Sequence, residues 1–301
     1  MFQYFAYGLG IHSELILPEF IQKDSCCDVT VTVQNADTTY LDIAEPRKYL
    51  KVSPQETIVA IQGIGQFQVQ KGCEIIVTPS VNPDIRLIQL CIAGSIIATL
   101  LYQRGYSTIL HASAIALHDQ VVCFLGNSGD GKSSMAAALI AQGHQIVSDD
   151  VVPLIVETDA VKVVPAYPQI KMGPAIATAL GYDLDQLIFL HPRLGEYAYR
   201  SETDFDPSPL RLTRIYILND SEALSVEPLT LQSAMLELIR HTYGLQPLAA
   251  AIDRKRHFRQ CTELLQQVSV CRLNRPRSIP LLPEVVRLIE ADVLGTAQLA
   301  L

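Results

Sequence analysis

Through the first part of the chain, apolar and polar positions alternate in short runs. Asp28–Val33 (DVTVTV), Thr57–Ile61 and Glu74–Thr78 are separated by Gly, Pro, Asn and Asp. Alternation bounded by turn residues predicts strands, so residues 1 to about 85 are expected to be β-rich. The pattern then changes. Leu87–Tyr102 (LIQLCIAGSIIATLLY) is apolar almost throughout. It predicts a buried helix over 86–104 that ends at Gly105, a residue suited to a C-cap. The apolar stretch is shorter than the roughly 18 residues of a membrane span and contains Gln89, so no span is expected; a membrane hairpin is the alternative. A boundary near residue 104 divides the chain into a smaller β-rich domain, 1–104, and a second domain, 105–301.

In the second part, strands are expected over Ile109–Leu117 and Val121–Leu125, joined by His118-Asp119-Gln120. That connection is short enough for a hairpin. A helix follows over roughly Lys132–Gln142, stopped by Gly143. Next come strand Gln145–Ser148, the pair Asp149-Asp150 at its end, and Val151–Val156. Strand, loop, helix and strand form a βαβ unit, which makes the fold class α/β. Further on, the pattern predicts a strand at Arg214–Leu218 and helices near 230–243, 255–267 and 282–292. Asp204–Pro209 (DFDPSP) reads as a surface loop.

Composition narrows the function classes. With 49% hydrophobic and 18% charged residues, the chain belongs with packed globular proteins rather than disordered ones. A net charge of -8 argues against broad nucleic-acid binding, which needs a basic footprint. The basic run Arg254–Arg259 is expected to be the solvated face of a helix. Seven cysteines stand at 26, 27, 73, 91, 123, 261 and 271, with no CxxC pair. Buried reduced thiols are expected, which fits a cytoplasmic protein. The first residues have no basic segment followed by an unbroken apolar one, so no signal peptide is expected.

One segment carries a specific chemistry. Gly126-Asn127-Ser128-Gly129-Asp130-Gly131-Lys132-Ser133 matches the phosphate-loop pattern G-x-x-x-x-G-K-[ST] at every defined position. Glycines let the backbone turn tightly and aim N–H groups at phosphate oxygens. The helix that starts near Lys132 adds its positive end. Lys132 would reach the β- and γ-phosphates of ATP and is expected to face solvent. The Ser133 hydroxyl would bind Mg²⁺, with Ser134 beside it in the nucleotide site. The second candidate is Asp149-Asp150. Neighbouring strand residues point to opposite faces, so the two carboxylates are expected to do different jobs. One would hold Mg²⁺ and the other would accept a proton. The third is His111, which lies near the loop if its strand pairs with Val121–Leu125; the plainer reading is a satisfied core histidine.

The run from His111 to Val152 resembles the core of the HPr kinase/phosphorylase family. It is closer still to the HPr-kinase-related proteins of peptide biosynthesis clusters, including lasso-peptide kinases. His111, the glycine-rich loop, Gly143-His144 and Asp149-Asp150 carry the resemblance over about forty residues, and Phe5-Ala6-Tyr7-Gly8-Leu9 fits it weakly. The resemblance implies a P-loop core like that of phosphoenolpyruvate carboxykinase. It also implies transfer of the ATP γ-phosphate to a serine hydroxyl, with a base in the Asp pair, an assisting His111 and Mg²⁺ on Ser133. Spacing and likeness favour Asp150 as the base and Asp149 as the metal partner, with the reverse assignment left open.

The chain departs from the family at several points. Ser134 stands where the family has Glu, and Pro165–Gly173 lacks its acidic stretch. Arg277-Ser278-Ile279-Pro280 does not match its C-terminal motif. Arg193-Leu194-Gly195 echoes another of its motifs at shorter spacing. These departures weigh against a phosphorylase reaction and against HPr as acceptor. The expected activity is an ATP- and Mg²⁺-dependent Ser/Thr kinase acting on a peptide or small protein, such as a lasso-peptide precursor, and homo-oligomers are allowed for. An ATPase coupled to a partner and a nucleotide sensor are the alternatives.

Overall fold

The computed structural model describes residues 1–34, 45–201, 205–244, 248 and 252–299, with backbone only for 296–299. The chain divides into two compact units. One comprises Met1–Ile109 with Tyr243–Arg259, and the other Leu110–Thr242 with Gln260–Leu301.

The first unit is built on eight strands: β1 (Phe2–Ala6), β2 (Leu9–Ser13), β3 (Ile21–Gln22), β4 (Val29–Val33), β5 (Arg47–Val52), β6 (Glu56–Ile61), β7 (Gly65–Gln70) and β8 (Glu74–Pro79). They form one sheet in the order β3-β1-β2-β4-β8-β7-β6-β5. The alternation read in DVTVTV has its expected effect. Val29 and Val31 are fully buried, and Thr30 and Thr32 are not, because successive strand residues face opposite ways.

A helical run follows the sheet: α1 (Ile85–Cys91), a π-helical segment (Ile92–Ile96) and α2 (Ile97–Gln103). The Asp84 carboxylate accepts from the Leu87 N–H and caps its start. Gly105, at φ +94°, ends it. The run is 19 residues long, so by length and composition it passes for a membrane span, which the shorter stretch counted from sequence did not. Yet 61% of its apolar window is buried within the fold.

The second unit contains β9 (Ile109–Leu117), β10 (Gln120–Leu125), α3 (Lys132–Ile140), β11 (Gln145–Val156), β12 (Val161–Val163), β13 (Gln169–Met172), α4 (Pro174–Ala179), β14 (Ile188–His191), β15 (Glu196–Arg200), β16 (Leu210–Asp220), β17 (Ser225–Pro228), α5 (Leu231–Arg240), α6 (Arg254–Leu265), β18 (Ser269–Arg275) and α7 (Leu282–Leu299). The unit boundaries fall one residue into β9 and inside α6. Its main sheet has the order β10-β9-β11-β12-β16-β18-β17, and β16 also pairs with β10. Five strands therefore close a ring, while β18 and β17 extend from it. β13, β15 and β14 form a smaller sheet. The architecture is mixed α/β with several sheets.

Three expectations change here. β9 lies between β10 and β11, so the segment around the loop is not a simple βαβ pair of adjacent strands. β11 runs unbroken through Asp149 and Asp150, so the pair is inside a strand rather than at its end. The thiols are mixed: Cys123, Cys261 and Cys271 are buried, Cys91 is partly so, and Cys26, Cys27 and Cys73 are exposed. In the basic run, Arg254, Lys255, Arg256, Phe258 and Arg259 are exposed on α6 and His257 is buried. Asp204 of the expected surface loop lies outside the described residues; 205–209 are neither helix nor strand.

Side chains of β10 divide between two cores. Val121, Cys123 and Leu125 enter one, and Val122 and Phe124 enter the other with Met135, Ala136 and Leu139 of α3. Phe124 stacks on Tyr216 of β16 at 5.7 Å between ring centroids. This packing fixes where β10 ends and α3 begins.

Candidate functional site

The glycine-rich loop bridges β10 and α3. Gly129 and Gly131 have φ of +85° and +92°, the left-handed region that residues with a Cβ rarely enter. The Asp130 N–H bonds the Asn127 carbonyl at 3.1 Å, and the Asp130 carboxylate accepts from the Asn127 N–H at 2.6 Å. The loop is therefore a closed turn, with the first N–H groups of α3 beyond it. Lys132 does not face solvent as expected. It is only 8% exposed, and its Nζ donates to the carbonyls of Gly126 at 3.0 Å and Asn127 at 3.1 Å. Burial pushes its pKa down, opposed by the carboxylates of Asp150, Asp149 and Asp130.

Beside the loop is a cavity of about 250 Å³. Ser128, Gly129 and Gly131 to Ser134 line one side, and His111, Asp149, Asp150, Lys171 and Glu196 are also in its wall. Asp149 is buried. Its Oδ1 accepts from Ser113 Oγ at 2.6 Å and from Ser133 Oγ at 3.1 Å, and its Oδ2 from the Lys171 N–H at 3.2 Å. Asp150 has φ +77°, which breaks the strand's alternation. Both carboxylates consequently reach one cavity, and the expectation of opposite faces is corrected.

His111 Nδ1 lies 3.0 Å from Asp150 Oδ1, and Lys171 Nζ lies 3.7 Å from Oδ2. Burial resists ionisation of Asp150, but Lys171, His111 and Lys132 outweigh it and hold its pKa down at about 2. His111 is a half-exposed member of this network rather than a core histidine. Antiparallel pairing of β9 with β10, which sets Ala112 opposite Leu125, brings His111 level with the loop.

The sequence reading did not single out Lys171 or Glu196. Lys171 sits on β13 among Ile170 and Met172, a cation within an apolar strand, which was the available signal. Glu196 opens β15, which pairs with β13. Burial raises the Glu196 pKa, Lys171 lowers it, and Asp149 and Asp150 raise it. Arg275 and Arg277, at and after the end of β18, were also missed. Arg277 lies 2.7 Å from Asp130 Oδ1 and 2.6 Å from Asp220, and Arg275 Nη2 donates to the Asp130 carbonyl. His144 pairs with Glu290 at 2.8 Å and lines a different cavity. Arg193 does not line the loop cavity.

The donor set suits a hard cation. Among the described residues no group of three or more His, Cys, Asp and Glu gathers as a metal cage. Ser133 Oγ and Asp149 Oδ1 nonetheless offer two adjacent oxygens. Mg²⁺ commonly takes only one or two protein ligands, with water and phosphate oxygens completing its shell.

No protein-family model matches the chain. No curated protein matches it. Among solved structures, the chain is similar to the Hpr(Ser) kinase/phosphatase from Coxiella burnetii, with a TM-score of 0.33 and 15% identity over 63% of this chain and 98% of that one. The likeness is distant, and the chemistry of the site rests on the site's own geometry.

Proposed function

We propose that the protein is an ATP- and Mg²⁺-dependent kinase that transfers the γ-phosphate to a serine or threonine hydroxyl of a peptide or small protein. One observation carries the reading: two carboxylates with different partners share a cavity with a complete phosphate-loop motif. Asp149 is bound to Ser133, and Asp150 to His111 and Lys171. The loop amides and Lys132 would bind the phosphates. Ser133 and Asp149 would hold Mg²⁺, which neutralises phosphate charge when bound. Asp150 would orient the acceptor hydroxyl. As the new P–O bond forms and the bond to ADP breaks, the hydroxyl proton passes to its carboxylate. A carboxylate with so low a pKa is a weak base, but in a loose transition state the proton leaves late and positioning matters more than basicity.

The test is transfer of label from γ-labelled ATP to a library of serine- and threonine-containing peptides. Asp150→Asn is expected to lower transfer by about 10²–10⁴ while ATP binding is nearly kept. His111→Ala should cost less. Asp149→Asn should also shift the Mg²⁺ requirement, and Lys132→Ala should abolish productive ATP use. Wild-type rates in both Asn variants would sink the kinase reading.

A further inference from the structure

We infer that Arg275 is a positioning residue of the nucleotide site: it orients one peptide of the glycine-rich loop so that an N–H faces the polyphosphate. This deepens the nucleotide reading above and rests on it.

Arg275 ends β18, where pairing with Asp220 of β16 fixes its backbone. Its side chain is almost wholly buried, at 5% exposure. Nη2 donates to the carbonyl of Asp130 inside the loop. A peptide unit is planar and trans, so its C=O and N–H point in opposite directions. With the Asp130 carbonyl turned to Arg275, the Gly131 N–H is turned away from it. Gly131 belongs to the wall of the cavity that holds Asp149 and Asp150.

This peptide needs an external hold. Gly131, on its C-terminal side, accepts positive and negative φ almost equally, so local sterics alone do not choose its orientation. The fit between the two residues is close. A Cβ on Gly131 would come 2.8 Å from Arg275 Nη2, so any side chain at 131 would collide with the guanidinium. Arg275 is also not simply a partner for a carboxylate. The Asp130 carboxylate is taken by Arg277 and the Asn127 N–H, and Arg275 holds backbone instead. Its Nε is buried with no hydrogen bond among the described residues. Such a donor is costly to leave unsatisfied if the residue only fills space, whereas its positive charge beside a phosphate loop is useful.

The experiment measures dissociation constants of ATP, ADP and AMP by calorimetry on the full chain, with melting temperatures. Arg275→Met should weaken ATP and ADP tenfold or more and AMP by less than twofold, since AMP lacks the β- and γ-phosphates. Arg275→Lys, which keeps one donor and the charge, should recover part of the loss. Arg275→Gln, which removes the charge but keeps a polar end, should show the same selective loss and carries the test if Arg275→Met does not fold. Unchanged ATP affinity in Arg275→Met overturns the inference. So does an equal loss for all three nucleotides with a lowered melting temperature, the mark of a merely structural arginine. Wild-type protein that binds none of the three sinks the nucleotide reading and this inference with it.

Discussion

Asp150 combines a left-handed backbone with a charge held by Lys171, His111 and Lys132, and both features have measurable consequences. For a residue other than glycine, φ of +77° costs on the order of 1–3 kcal/mol, so the surrounding contacts must hold it. Its folded pKa of about 2 lies below the ordinary 3.8. The unfolded chain therefore takes up the proton first as pH falls. The stabilisation is complete above about pH 4 and is lost as pH drops through 2. The stability gap between wild type and Asp150→Asn, measured by urea denaturation, is expected to be full at pH 7 and narrower at pH 3. A gap of the same size at both would mean that the charge network contributes nothing. At this scale the loop was legible in the sequence because its geometry demands glycine at fixed positions. Lys171 was not, because a cation on a four-residue strand becomes a site residue only when β13 is laid against the Asp pair.

Among the elements, α7 is held by polar as well as apolar contacts. Asp292 accepts from the Tyr216 hydroxyl at 2.6 Å and lies 3.0 Å from Arg214 Nε, tying the helix to β16. Arg214 is itself buried. Removing the partner of a buried charge is costlier than losing an exposed pair. Asp292→Ala is therefore expected to destabilise the protein by about 3 kcal/mol, and Tyr216→Phe by about 1 kcal/mol, both by chemical denaturation. A cost below that of Tyr216→Phe for Asp292→Ala would show that the Asp292 tie to β16 adds little to what the apolar face of α7 and the Glu290–His144 pair supply. Long periodic stretches were readable: 282–292 was expected as helix and α7 fills it. What patterning missed has local causes. The polar pair in β11 read as a strand end because its inward carboxylates look like a turn. The π-helical segment 92–96 has the same apolar composition as the helices around it. Pairing of the short strands β13, β14 and β15 depends on contacts far apart in sequence.

The whole molecule adds an order of connection that no periodicity contains. After the glycine-rich loop and seven further strands have been laid down in the second unit, residues 243–259 belong to the first. Within that unit, the Tyr243 N–H bonds the Ile109 carbonyl at 2.8 Å, and the Tyr102 hydroxyl bonds the Tyr243 carbonyl at 2.6 Å. Leu248, Ile252 and His257 are buried. A fragment of residues 110–301 keeps 243–259 but loses the partners that these residues pack against in the first unit. It should expose apolar surface and bind a hydrophobic dye more strongly than the intact chain. Co-expressed with residues 1–109, the same fragment should regain its partners, because buried apolar contact is the main favourable term in association. The two pieces are expected to co-purify, and the dye signal is expected to fall to that of the intact chain. Two fragments that stay apart, each folded and dye-free, would show that 243–259 is a tether between independent domains and contributes nothing to the core of the first.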